Sequence, residues 1–182
     1  MRTFVQRGLT AVSAVAFLAS VGATPSFADT TTPYSATFPM EVTTPRACPA
    51  GAPAGAFCFT GQDHSGLGTS TPPGGTAFED FAGFVDLAHP IPGACPGGAP
   101  GFPDHNVVTI TTSRGQLFLT TAGTACGLGQ PTTTDNGTWQ AHGGTGIFSG
   151  ARGGGTVATV GTPNPNGTIN SASTYAGTLT LE

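Results

Sequence analysis

The chain has 182 residues with no lysine, five arginines, nine acidic residues and a formal net charge of −4. The missing lysine excludes a P-loop, which needs its Lys on the β/γ-phosphates, and a Schiff-base enzyme, which needs a Lys amine. The acidic balance argues against nucleic acid and anionic membrane surfaces as partners, since both attract Lys and Arg.

At the N-terminus Arg2 and Arg7 precede a run of apolar and small residues over 8–23, and Ser26-Phe27-Ala28 then offers small residues where a signal peptidase reads. A signal peptide over 1–28, cleaved after Ala28, is expected. The apolar run is shorter than the ~20 residues of a spanning helix, and no second candidate follows, so no membrane insertion is expected. What remains, 29–182, is read as one secreted domain with one core.

Four cysteines, Cys48, Cys58, Cys95 and Cys126, lie in that domain. An even count in a secreted chain points to disulfides. Three pairings exist. Cys48 with Cys58 and Cys95 with Cys126 is favoured, because the first pair encloses a short Pro/Gly/Ala loop resembling a stapled turn. The similar segments "ACPAGAPAGAF" and "ACPGGAPGF" read as two loop entries rather than a repeat. A zinc site competes, but no Cys-x-x-Cys pair is present, so no metal and no cofactor are expected.

With 29 Gly, 16 Pro and no long stretch of helical periodicity, the domain reads as all-β. Strands are predicted over 35–43, 57–61, 76–88, 106–112, 116–122, 138–142, 156–160 and 168–181. Phe38, Met40 and Val42 alternate with Thr37, Glu41 and Thr43, the pattern of a half-buried strand. Ser113-Arg114-Gly115 reads as a hairpin turn. Eight such strands fit a barrel or a two-sheet sandwich equally well.

Polar candidates are few. Asp63-His64 and Asp104-His105 each place an acid before a histidine, which two pairs together could use for a metal or for acid/base work. The plain reading sets both in loops, with Asp capping a turn and His solvated. In "TAFEDFAGFVDLA", residues 76–88, Glu79 shares a face with Phe81, Val85 and Leu87, whereas Asp80 and Asp86 share the other with Phe78 and Phe84. An acid in an apolar lumen has a raised pKa and can serve as a general acid, making Glu79 the catalytic candidate. The competing reading is a bulge at Gly83 that turns all three carboxylates to water, and it is the favoured one. Phe81 and Trp139 are the aromatic candidates for ligand contact, although a core plug is the plainer role for Trp139. His142 reads as an exposed strand end, Arg152 as a turn anchor, and the Asn-Gly-Thr sequences at Asn136 and Asn166 as turns.

"WQAHGGTGIFSGARGGGT", 139–156, invites a phosphate-binding reading that fails. A dinucleotide fingerprint needs a glycine where Ser149 stands and a helix after it, which Gly153-Gly154-Gly155 would break. One helical turn over 147–151 between two strands is expected instead.

The portion "GGTGIFSGARGGGT", Gly143 to Thr156, resembles the Gly-Gly-Thr-Gly-x-Phe…Ala-x-Gly signature of allene oxide cyclase-like and dirigent-like barrels. "GTW" before it and "YAGTL", Tyr175 to Leu179, extend the likeness more weakly, so it covers the C-terminal part of the chain. The resemblance implies a single eight-stranded antiparallel barrel of calycin type, with Phe148 plugging one end. It also implies a dimer or trimer. It hands over no catalytic residue, and the disulfides and the "CPAGAPAGAFC" loop depart from the plant pattern.

Two functions follow. The favoured one is a noncatalytic secreted barrel that binds a small hydrophobic ligand or acts structurally outside the cell. The alternative is a cofactor-free cyclase or isomerase that steers a reactive substrate in the lumen.

Overall fold

The computed structural model describes residues 29–43, 47–63 and 65–182. The expected signal peptide, Arg46 and His64 lie outside the described residues. Among the described residues, nine strands form one antiparallel sheet: β1 Thr30–Thr43, β2 Phe57–Asp63, β3 Thr69–Thr71, β4 Ala77–Val85, β5 Phe102–Thr112, β6 Gly115–Cys126, β7 Thr133–Gly144, β8 Arg152–Pro163 and β9 Ile169–Leu181. Two short 3-10 turns, Pro96–Gly98 and Gly146–Phe148, complete the regular structure. Among the described residues, no helix is long and apolar enough to cross a membrane.

The strand order is β2-β4-β5-β6-β7-β8-β9-β1-β3. β1 pairs with β9 from Thr30 opposite Leu181 to Val42 opposite Ile169. The other edge of β1 is shared, with β3 beside Ser35–Thr37 and β2 beside Glu41–Thr43. The sheet therefore curls until its flanks touch along a seam of three residue pairs. The expected eight-stranded closed barrel is corrected accordingly: the sheet has nine strands and is curled, without a full ladder closing it. The extra strand, β3, is three residues held between Gly68 and Pro72-Pro73, too short to show alternation in sequence.

Period-2 patterning decides what the sheet encloses. Along β1, Tyr34, Ala36, Phe38, Met40 and Val42 are buried, and Ser35 and Thr37 between them are exposed. Inward residues of the other strands join them in one core with Ile110, Leu117, Leu119, Trp139, Phe148 and Leu179. Each fully buried side chain of this size contributes about 1.5–3 kcal/mol.

One end of the interior is packed solid by the glycine-rich segment. Phe148, on the 3-10 turn, is fully buried. The turn is stitched to the β5–β6 hairpin by three bonds: Thr145 N to Gln116 O at 2.8 Å, Gln116 N to Thr145 Oγ1 at 3.0 Å and Ile147 N to Arg114 O at 3.1 Å. Gly146 has φ 60°, and a Cβ there would run into the Arg114 carbonyl oxygen. Close backbone approach, not a phosphate, is what these glycines permit.

The disulfides are Cys48–Cys58 and Cys95–Cys126. The first closes the loop leading into β2. The second ties the 86–101 connection to the end of β6.

Candidate functional site

At the end opposite Phe148 the interior is hollow. A cavity of about 110 Å³ is lined by residues from every strand except β3. Its apolar wall includes Val42, Phe57, Phe59, Phe81, Val85, Val157 and Ile169, and Leu128, 37% exposed, stands among its lining residues. Phe59 and Phe81 meet edge to face with centroids 5.9 Å apart, and Phe57 lies 6.3 Å from Phe59. Its polar lining holds three carboxyl groups, Glu79, Asp104 and Asp135, with Asn106, Ser171, Ser173 and Tyr175.

Glu79 points inward because β4 has no bulge. Its register against β5 runs unbroken from Ala77 opposite Thr112 to Val85 opposite Asp104. Glu79 and Gly83 are consequently buried, while Asp80 and Asp86 on the alternate face are partly exposed. The expectation that a bulge at Gly83 sends all three carboxylates to water is thus corrected for Glu79. Asp86 instead receives His89 Nδ1 at 2.7 Å, and that bond holds its carboxyl below the ordinary range.

Tyr175 donates its hydroxyl hydrogen to Glu79 Oε1, and Glu79 Oε2 is buried without a protein partner. Burial pushes the Glu79 carboxyl up to about 8. The Tyr175 bond opposes the shift, and the charges of Asp63 and Asp80 add to it. Glu79 is therefore mostly protonated at neutral pH. Burial also raises the Tyr175 phenol, with the nearby Glu79 charge in support.

Asp104 and Asp135 form a second acid unit. Burial raises both, and the charge of Asp135 raises Asp104 further. A hydrogen bond between the two carboxyls needs one proton, which the pair shares and releases as a unit. Asn106 Nδ2 braces the pair, donating to Asp104 Oδ2 at 3.1 Å and to Thr121 Oγ1 at 2.9 Å. Asp135 Oδ1 sits over Gly123, where a Cβ would stand 2.5 Å from it. Glycine on the neighbouring strand makes the room this carboxyl needs.

The other sequence candidates fall in different places. Phe81 lines the cavity beside Glu79. Trp139 does not: it is buried among the core side chains, its Nε1 donates to Ala176 O at 3.2 Å, and its ring meets Tyr34 edge to face at 5.3 Å. Asp104 and His105 lie within β5 rather than in a loop, with Asp104 inward and His105 exposed against Phe84. Asp63 does cap a turn, accepting from Ser65 N at 2.9 Å, but it is buried. Cys48, Cys58, Cys95 and Cys126 are all spent in disulfides. His142 is exposed and bonded to Thr120 Oγ1 at 2.7 Å. Arg152 is exposed on β8. Asn166 lies in a turn, whereas Asn136 sits within β7. Among the described residues, no group of three or more His, Cys, Asp or Glu could hold a metal ion.

Asp135 was missed by sequence reasoning. "TTTDNGT" has the composition of a turn, and the strand was expected to begin at Thr138. The readable signal is alternation on one face, with Thr133, Asp135 and Gly137 leading to Trp139. The same signal in β5 runs Asp104, Asn106, Val108, Ile110.

The chain was compared with protein-family models, with curated proteins and with solved structures. None of the three gives a match. The site therefore has to be interpreted from its own chemistry.

Proposed function

We propose that the protein is a secreted binding protein that takes a small molecule into the hollow half of its curled sheet. One observation carries this reading. Four buried polar atoms, Glu79 Oε2, Asn106 Oδ1, Asp135 Oδ1 and Ser171 Oγ, belong to residues lining a single cavity and have no protein partner. Each such orphan costs about 1–3 kcal/mol, and folded proteins leave few of them. Gathered in one aromatic-walled hollow, they match a binding site with a few polar groups that orient the ligand. The cavity approaches the ~150 Å³ of engineered cavities that admit benzene.

Secretion is supported by the two disulfides, which fit an oxidising compartment, together with the leader expected over 1–28. The resemblance to allene oxide cyclase-like and dirigent-like barrels adds that the curled sheet serves as a lumen.

The test is backbone NMR shift mapping with toluene and benzyl alcohol. Shifts should concentrate on residues 79–85, 104–108, 133–135 and 169–175, and Val157→Trp, which fills the hollow, should remove them. If the parent protein shows no shifts with either compound, the binding reading falls.

A second reading, a cofactor-free isomerase or cyclase, is favoured by the protonated Glu79 in the cavity wall. Glu79 would donate its proton to a substrate oxygen or carbon while the walls fix the reacting conformation. In that case Glu79→Gln removes turnover but leaves binding; unchanged turnover in this variant would exclude Glu79 as the acid.

A further inference from the structure

We infer that the ligand is a small organic ammonium ion with an apolar body, its N–H groups taken by Glu79, Asp135 and Asn106 and its body set against Phe59 and Phe81. The inference rests on the binding-site reading and names its ligand class.

The unmet polar atoms are oxygens that can all accept. Asn106 Oδ1 only accepts, Glu79 Oε2 and Asp135 Oδ1 accept once their carboxyls are ionised, and the Asn106 Nδ2 that could have donated is already committed to Asp104 and Thr121. Of the four orphan atoms, Ser171 Oγ can act either way, and Glu79 Oε2 donates while its carboxyl is protonated and accepts once it ionises. A partner that brings donors and holds the carboxyls ionised therefore meets all four.

Charge points the same way. Three acids line the cavity, and no Lys, Arg or His is among its lining residues. The groups bearing on Glu79 are Tyr175 on β9, Asp63 on β2 and Asp80 on β4, none of them cationic. Tyr34 on β1, whose hydroxyl accepts from Ser70 Oγ at 3.3 Å, also feels its charge. An anion would add to this repulsion, and a ligand with acceptors alone would leave Asn106 Oδ1 unmet and give an ionised carboxylate nothing. A cation relieves both. The three-phenylalanine wall suits a cation as well, because ring faces attract ammonium groups within about 6 Å.

Binding has a proton balance. When an ammonium ion pairs with Glu79 at pH 7, the carboxyl ionises and its proton passes to the buffer. The cation itself stays protonated throughout.

Calorimetric titration at pH 7 with benzylamine, benzyl alcohol and benzoate, each in phosphate and in MOPS, separates the possibilities. Benzylamine should bind at least ~10-fold more tightly than benzyl alcohol and release about one proton, while benzoate does not bind. Glu79→Gln, which keeps an acceptor for Tyr175, should bring benzylamine down to the affinity of the alcohol and abolish proton release. Asp135→Asn should also weaken benzylamine selectively, which covers the case of a poorly folded Glu79 variant. Benzyl alcohol binding as tightly as benzylamine, or amine binding without proton release, overturns the ammonium assignment and leaves the pocket standing. Binding by none of the three overturns both.

Discussion

Tyr175 on β9 donates its hydroxyl hydrogen to Glu79 on β4, joining two strands that are not neighbours in the sheet. The bond crosses the interior, at the level where the packed half gives way to the hollow half. Tyr175→Phe removes the donor and leaves a second Glu79 oxygen unpaired. The variant should lose about 1–3 kcal/mol in denaturant unfolding. The Glu79 carboxyl should also titrate higher than in the parent, since the bond it lost had been lowering it. A variant of parental stability would contradict the bond.

Stability should fall as pH rises. Glu79 has an ordinary value near 4.5 in the unfolded chain and about 8 in the folded protein, so the folded state holds the extra proton between those values. The stabilisation is complete below about pH 4.5 and is lost as pH climbs through about 8, a change on the order of a few kcal/mol. Asp104 and Asp135, both raised, add in the same direction. Urea unfolding at pH 5 and pH 9 checks this, and Glu79→Gln should flatten the slope. Stability that increases towards pH 9 would contradict it.

The plugged end should be separable from the hollow end. Phe148→Ala should cost about 3–5 kcal/mol through the cavity it leaves. Ligand-induced NMR shifts at Glu79 and Asp135 should persist at temperatures where the variant is folded. Loss of those shifts in a folded variant would show that the two halves are coupled.

Gly123 offers a test of the carboxyl pair that leaves every acid in place. Gly123→Ala, at a half-buried position on β6, puts a methyl group against Asp135 Oδ1 and the Asn136 carbonyl oxygen, whereas Gly129→Ala, in an exposed loop, meets open space. The Gly129 variant has its own strain, with φ 79°, so a cost of about 1 kcal/mol is expected there. Gly123→Ala should instead displace Asp135 and weaken ligand binding, measured by calorimetry. Equal binding in the two variants would argue against Asp135 as a ligand contact.

Reduction should act mainly through Cys95–Cys126, which spans 31 residues of sequence against 10 for Cys48–Cys58. The longer loop is worth about 3–4 kcal/mol by chain entropy. Cys95→Ala/Cys126→Ala should therefore lower the thermal midpoint more than Cys48→Ala/Cys58→Ala, and the reverse order would contradict that reasoning.

Much of the sheet was legible because turn residues punctuate it: each of the eight predicted stretches overlaps an observed strand, and the favoured disulfide pairing is the observed one. What escaped did so for definite physical reasons. Asp, Asn and Gly in "TTTDNGT" favour turns locally, but pairing with β6 and β8 on both sides overrides that preference and carries Asp135 inward. Asp104 follows a proline, yet Pro103 is tolerated in β5, so a residue read as a loop cap became half of a buried acid pair. Glu79 was named from its face but assigned to water, because burying an unpaired acid is costly. Its hydrogen-bond partner Tyr175, 96 residues away, could not be read from periodicity.

The decisive measurement is a carbon-13 NMR titration of the Glu79 side-chain carboxyl in the ligand-free protein. A midpoint near 8, falling when benzylamine is added, is the expected result. A midpoint in the ordinary glutamate range near 4.5 would mean that Glu79 is solvated, and the acid-lined pocket would not exist as described.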